Sequence, residues 1–308
     1  MIWRMGTAAS LLLLVAAASP QSVDLPGARL FPESMSIARD GTAYVGSVTG
    51  GVLRVSLKTG KTEQWIAPGA FGSGALFGVL VDPVNGVLWT CNNDFSARGN
   101  LVPGSDRGSM LKGFDLKSGR LRLSMALPGE KPVCNDIAVA TNGTVYVTDT
   151  AAPQLLRWRK GQTALEVWVR DPALGAGLDG IAIASDGHVY VNNIRTGELF
   201  RIAVESNGNS GAVTKLKLSR PLAAPDGMRS IGGQSFVVAE EGVISRVTVH
   251  DDAAEVQTLV EKVKRPTGVE LHKGMIWYSQ GQVSLFFNPK PGETPDPSRL
   301  VPVPLPRN

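Results

Sequence analysis

The chain has 308 residues, 43% hydrophobic and 19% charged, with 35 glycines and 20 prolines, a turn-rich globular composition that excludes a disordered or fibrous protein. Its formal charge is +4, and the basic residues are scattered without a run of five or more, which excludes a nucleic-acid-binding surface. Beyond the N-terminus no stretch approaches the ~18 uninterrupted apolar residues of a membrane span.

Residues 1–18 read as a secretory leader, with Arg4 in a short basic start, an apolar run from Ala8 to Ala17, and an Ala16-Ala17-Ala18 cleavage pattern. The mature protein, residues 19–308, is therefore expected to be exported, to a periplasm or the medium, and to form one domain. Val23 to Leu30 resembles the last strand of a unit that lacks its preceding partners.

From Glu33 onward one unit recurs. Turns at Asp40-Gly41, Asn85-Gly86, Asn142-Gly143, Asp186-Gly187, Gly232-Gly233 and Lys273-Gly274 are each followed by an aromatic residue: Tyr44, Trp89, Tyr146, Tyr190, Phe236 and Trp277. A period of about 40 to 60 residues marks a repeat fold. Each unit opens on a short strand such as Ile137-Ala138-Val139 and continues through the turn into the aromatic strand. A third strand follows, built around a basic residue: Arg54, Lys112, Arg157, Arg201 and Arg246, with Leu285-Phe286 at that place in the sixth unit. A more variable fourth strand closes the unit.

Short alternating strands cannot bury both faces alone, so the sheets must stack. Six sheets arranged radially give an all-β fold, a six-bladed β-propeller of four-stranded antiparallel blades, which limits exposed edges by closing the ring. The aromatics are then packing between adjacent blades. Val23–Leu30 and Leu300-Val301-Pro302-Val303 compete to complete the sixth blade, proline favouring an edge place for the second.

Where the first strands begin, a different column reads Glu33, Phe77, Asn135, Asp179, Asp226 and Thr267. Four of the six are acids or amides, a composition that core packing does not require, and in a propeller these positions converge on one mouth of the central channel. A second polar column, at the ends of the second strands, reads Ser47, Asn92, Asp149, Asn193, Ala239-Glu240 and Gln280. Clustered carboxylates repel unless protons or a cation neutralise them. Oxygen ligands without sulfur or imidazole suit a hard cation, Ca²⁺ above all, with Zn²⁺, Mn²⁺ or Mg²⁺ as alternatives. His188, His250 and His272 fall away from the inferred mouth, which disfavours a histidine-ligated zinc and a Ser/His/Asp triad. Cys91 and Cys134, in neighbouring units, are free to pair or to stay separate buried thiols.

In these features the chain resembles the SMP-30/gluconolactonase/LRE-like family of six-bladed propellers. The likeness spans the mature chain as a repeat pattern and is carried by Glu33, Asn135-Asp136, Asp179-Gly180 and Pro225-Asp226-Gly227-Met228. It implies a divalent-cation-dependent lactone hydrolase acting on a small lactone or sugar-derived substrate. Glu33, Asp179 and Asp226 would be the cation ligands, and Asn135 would contact substrate or cation-bound water. Two departures stand out: Glu33-Ser34-Met35 replaces Glu-Gly-Pro, and Asp179 replaces an asparagine, which adds negative charge.

If that chemistry applies, Asp226 is the candidate base, with Asp149 or Glu240 as partners, and Asn92 and Asn193 are candidates to bond substrate hydroxyls. The segment from Asn93 to Arg107 is expected to overhang the mouth as a lid or wall. A non-catalytic propeller binding a sugar, peptide or protein is the alternative function, and a strictosidine-synthase-like propeller is a third.

Overall fold

The recurring turns act as tight hairpins. At Asn142-Gly143, Gly143 takes a left-handed φ of 83° and joins Cys134–Val139 to Val145–Asp149 in antiparallel register, a bend that residues with a Cβ adopt poorly. The computed structural model describes residues 20–27, 29–289 and 291–306. The leader expected at residues 1–18 lies outside them.

Six sheets result, and their innermost strands stand side by side around a central channel: Pro32–Ile37, Ala75–Asp82, Cys134–Val139, Leu178–Ile183, Met228–Gly232 and Pro266–His272. Five of the six sheets have four strands; the remaining one, blade 5, gains a short strand, Lys217–Leu218, parallel to Ala253–Glu261. The ring closes where the Thr267 hydroxyl of blade 6 donates to the Pro32 carbonyl of blade 1 at 2.8 Å. The expected fold, a six-bladed propeller of four-stranded antiparallel blades, is therefore the fold observed. Among the described residues no helix is long and apolar enough to cross a membrane.

Between the blades lie the aromatics. Tyr44 of blade 1 packs with Leu76, Val79 and Phe114 of blade 2, Trp89 meets Trp158 of blade 3 at 5.2 Å between ring centroids, and Tyr190 meets Phe236 of blade 5 at 4.9 Å. Such ring pairs contribute roughly 1 kcal/mol each beyond the area they bury.

Two details of the repeat differ from the sequence expectation. Arg54, Arg157 and Arg201 stand directly across from Tyr44, Tyr146 and Tyr190. Lys112 and Arg246 instead face Thr90 and Val237, one position off their aromatics, so they lie on the other face of their blades. In the sixth blade Leu285 and Phe286 belong to a short helix, Val283–Phe287, and the third strand is Arg299–Pro304. Both chain ends contribute to that blade, because Val23–Asp24 forms its outermost strand against Leu300 and Arg299. The C-terminal strand is thus not the edge, yet its prolines are tolerated. The outer strand is too short to reach Pro302 and Pro304, whose missing N–H groups face no ladder there.

Cys91 and Cys134 pair as a disulfide with Cα atoms 5.1 Å apart, linking blades 2 and 3 across 43 residues. Replacing both by alanine is expected to lower unfolding stability by about 2–4 kcal/mol, measured by urea denaturation, and no loss would show that the link adds nothing to the packed interface.

Candidate active site

One cavity of about 290 Å³ opens at a mouth of the channel, and all six residues of the first column line it: Glu33, Phe77, Asn135, Asp179, Asp226 and Thr267. The local cause is a register shift. In blades 1, 2, 3, 4 and 6 the pairing of the innermost strand slips just where the column residue sits, for example between Cys134 and Ile137 and between Leu178 and Ile181. Such a bulge releases a residue from the ladder and re-aims its side chain.

The bulges also bring backbones very close. A Cβ on Gly180 would lie 2.4 Å from the Asp226 carbonyl oxygen, and one on Gly78 would lie 2.3 Å from that of Asn135, so glycine follows the column residue at both places. The freed amides find partners from the second strands. The Gly180 N–H donates to the Asn192 side-chain oxygen at 3.0 Å, and the Asn192 amide donates on to the Asp226 carbonyl at 2.8 Å. Thr148 does the same one blade earlier, accepting from the Asp136 N–H at 2.9 Å and donating to the Asp179 carbonyl at 2.8 Å. Blades 3 and 4 thereby each fix the column residue of the next blade.

On the cavity floor the Asn135 amide donates to Asp179 Oδ2 and to the Thr150 hydroxyl, both at 2.9 Å. Asp179 Oδ1 is buried without a hydrogen-bond partner. Asp226 Oδ1 accepts the Gly227 N–H at 2.9 Å. Glu33 and Asp179 are buried, whereas Asp226 is half-buried and thus the most accessible of the three.

All three carboxyls have raised pKa values, each because burial penalises the charged form and neighbouring carboxylates repel it. For Glu33 burial is followed by Asp226, Asp179 and Asp136. For Asp226 burial is followed by Asp179, with the Gly227 N–H opposing. Asp179 is pushed up to about 8 by burial and then Asp136, against the Asn135 hydrogen bond. The three share a cavity, yet among the described residues no group of three or more His, Cys, Asp or Glu side chains is gathered into a ready-made ion shell.

Next to this floor lies a tier that joins Asp136, named in the resemblance without a role, to Arg229 and Glu270, which the sequence did not single out. Arg229 Nη1 donates to Asp136 Oδ2 at 2.7 Å, its Nη2 donates to the Val79 carbonyl at 3.3 Å, and its Nε stands 3.8 Å from Glu270. The Ser36 hydroxyl donates to Glu270 at 3.2 Å. This buried guanidinium lies close enough to draw the Glu33 carboxyl partly back down. A signal for it existed: Asp136 occupies the place that glycine holds in blades 2, 4, 5 and 6.

The second column does not line the cavity. The residues one step further along, Thr150, Ile194 and Glu241, do so instead, because side chains alternate and a slip of one reverses the face. Asp149, Asn193, Glu240 and Ser47 instead anchor the segments that lead into the first column. Asp149 accepts from the Val133 N–H at 2.9 Å and from Gln154 at 2.8 Å. The Asn193 amide donates to the Leu174 and Ala176 carbonyls at 2.9 and 3.2 Å. Glu240 takes both Arg220 guanidinium nitrogens, at 2.8 and 2.9 Å, and the Ala223 N–H at 2.6 Å, while the Ser47 hydroxyl donates to the Leu30 carbonyl. Asn92 donates to the Thr90 hydroxyl at 2.7 Å within its own strand. The substrate and proton-relay roles expected of Asn92, Asn193, Asp149 and Glu240 are thus assigned to side chains whose hydrogen bonds are internal. Removing the Glu240 carboxylate, as in Glu240→Ala, is expected to cost about 1–3 kcal/mol, reduced by the partial exposure of Arg220, and to loosen the segment that presents Asp226. Thermal denaturation measures the first effect, and a stability equal to wild type would show the clamp to be idle.

The segment after Asn93 does reach the mouth, as a backing wall. Phe95 packs on Phe77 at 5.3 Å and on Phe287 at 5.4 Å. Lys112, buried, ties the segment down through Asp106 and the Phe71 carbonyl, both at 2.6 Å.

The protein is thus a six-bladed propeller with a carboxylate-floored cavity at one mouth of its channel. A family model described as "Strictosidine synthase-like, N-terminal" matches residues 18–55, a span that includes Val23–Asp24 of blade 6 and runs into the third strand of blade 1. No curated protein matches the chain in sequence. Among solved structures, a gluconolactonase from Xanthomonas campestris is similar with a TM-score of 0.63 and 15% identity, over 95% of this chain and 99% of that one. The Malassezia sympodialis allergen Mala s 1 is similar with a TM-score of 0.69 and 13% identity, over 92% and 96%. Virginiamycin B lyase from Staphylococcus aureus is similar with a TM-score of 0.59 and 14% identity, over 92% and 99%. The expected likeness to gluconolactonase-type propellers is present in the fold, and a lyase and an allergen share that fold, so the chemistry has to be argued from the site.

Proposed function

We propose that the protein is an exported, divalent-cation-dependent hydrolase of lactones or related esters. The observation that carries this reading is the meeting of Glu33, Asp179 and Asp226 around one cavity, where burial and mutual repulsion raise all three carboxyls. The donor set is oxygen only and includes the bare Asp179 Oδ1, which fits a hard cation such as Ca²⁺. When bound, such an ion would supply positive charge to polarise the ester carbonyl and hold its developing oxyanion.

The chain's own groups divide the remaining work. Asn135 holds Asp179 Oδ2 and thereby sets the direction of that carboxylate. Asp226, with Oδ1 held by the Gly227 N–H, would take a proton from the attacking water through Oδ2. The water oxygen bonds to the carbonyl carbon, the ring C–O bond breaks, and the proton passes to the departing alkoxide. One water is consumed and a hydroxy acid leaves. Export is supported by the leader-like residues 1–18 and by the Cys91–Cys134 disulfide, which persists in oxidising compartments.

A strictosidine-synthase-like propeller is favoured as the second reading by the match over residues 18–55. Chelator-treated protein, reconstituted with Ca²⁺, Zn²⁺, Mn²⁺ or Mg²⁺ and assayed on a lactone panel, separates the two. Ion-dependent ring opening supports the hydrolase, and no turnover with any ion defeats it.

A further inference from the structure

The first column carries two residues that the proposed chemistry leaves unused, Thr267, which closes the ring onto Pro32, and Phe77. It stands at the mouth where the other blades place acids, an amide or a threonine, and it begins a continuous aromatic wall. Phe287 of the short helix packs edge-on against it at 6.2 Å, and Phe286 bridges Phe287, at 5.1 Å, to Phe31, at 5.3 Å. Val283, one helical turn before Phe287, and Ile194 from blade 4 complete the apolar side of the same cavity.

Outside the carboxylate floor, which the proposed ion would engage, the polar donors of this cavity are already committed, Arg265 to Glu293 at 2.6 Å among them. Thr267 donates to the Pro32 carbonyl, Thr150 donates to the Leu178 carbonyl at 2.8 Å, and both N–H groups of the Asn135 amide are engaged by Thr150 and Asp179. Ser284, Asn288 and Glu241 sit at the exposed rim, in contact with water. A polyhydroxylated ring entering here would surrender its water on a side of the cavity that offers few free partners once an ion holds the carboxylates, and burying hydroxyls without new hydrogen bonds is unfavourable. An alkyl or aryl substituent loses nothing of that kind and gains the wall.

We infer that the substrate class is a lactone or ester bearing an apolar alkyl or aryl substituent, with its carbonyl over the carboxylate floor and its substituent against Phe77 and Phe287. This inference rests on the hydrolase reading and narrows it away from sugar-acid lactones.

The test compares γ-nonalactone, γ-butyrolactone and glucono-δ-lactone as substrates of the Ca²⁺-loaded wild-type protein, with spontaneous ring opening subtracted. The expected kcat/KM for γ-nonalactone exceeds that for each of the others by at least about tenfold, the scale of a filled apolar pocket. Phe287→Ser and, separately, Val283→Ser narrow that ratio. Equal or greater efficiency on glucono-δ-lactone overturns the inference and leaves the hydrolase reading intact. If no lactone turns over, the hydrolase reading falls, and calorimetric titration of the same protein with γ-nonalactone and glucono-δ-lactone still decides the ligand class. Tighter binding of γ-nonalactone, weakened in Phe287→Ser, upholds it; tighter glucono-δ-lactone binding, or no binding of γ-nonalactone, overturns it.

Discussion

Asp226→Ala is expected to lower kcat/KM for lactone hydrolysis by at least about a thousandfold, equivalent to roughly 4 kcal/mol of transition-state stabilisation. The variant removes both a proposed ion ligand and the proposed base, while the half-buried position allows the fold to persist. Asp226→Asn separates the roles, because an amide oxygen still offers a ligand atom but cannot take the proton. It is expected to retain more bound ion than the alanine variant and to remain as inactive. Circular dichroism verifies the fold, ion content is measured by elemental analysis, and activity near wild type in either variant would place the chemistry elsewhere.

The second large effect concerns pH and ion removal together. Because the Glu33, Asp179 and Asp226 carboxyls are raised by folding, the ion-free protein holds protons that the unfolded chain has released. Raised acids contribute stability that is fully present below the ordinary carboxylate pKa and is lost as pH climbs through the folded value, about 8 for Asp179. Asp179 alone corresponds to a loss on the order of 5 kcal/mol across that window. In chelator, the melting temperature should therefore fall steadily from about pH 5 to about pH 9, the reverse of acid denaturation. Added Ca²⁺ should oppose the fall, by about 2.7 kcal/mol at a hundred times its dissociation constant, with the gap between the two conditions widening as pH rises. Melting curves that do not separate with Ca²⁺ at the alkaline end would exclude Ca²⁺ binding at this cluster.

Much of the architecture was legible because a propeller repeats its own error-checking. The hairpin glycines and the aromatics from Tyr44 to Trp277 recur in step, so six weak signals confirm one another. The first column was legible for the opposite reason: equivalent positions in a repeat should match, and Glu33, Asn135, Asp179 and Asp226 do not match a packing role. The second column was misplaced by one residue. Asp149, Asn193 and Glu240 are polar like cavity residues, but the bulges shift the register between inner strands, and pattern alone does not reveal which way an alternating strand faces after a bulge. The sixth blade was misread at Leu285-Phe286 because apolar pairs fit a strand as well as one turn of helix. The tier formed by Asp136, Arg229 and Glu270 joins residues separated by up to 134 positions in sequence, and no local pattern links them.

The meeting of both chain ends in the last blade has a consequence for biogenesis. Val23–Asp24 and Arg299–Pro304 lie in one sheet, and Thr267 must reach Pro32 before the cavity has its sixth side. Contacts this distant along the chain form late. A chain cut before Thr267 would own five walls of the cavity and no closing contact to Pro32. The proposed site is thus completed only when blade 6 meets blade 1, through contacts between the two most distant blades in sequence.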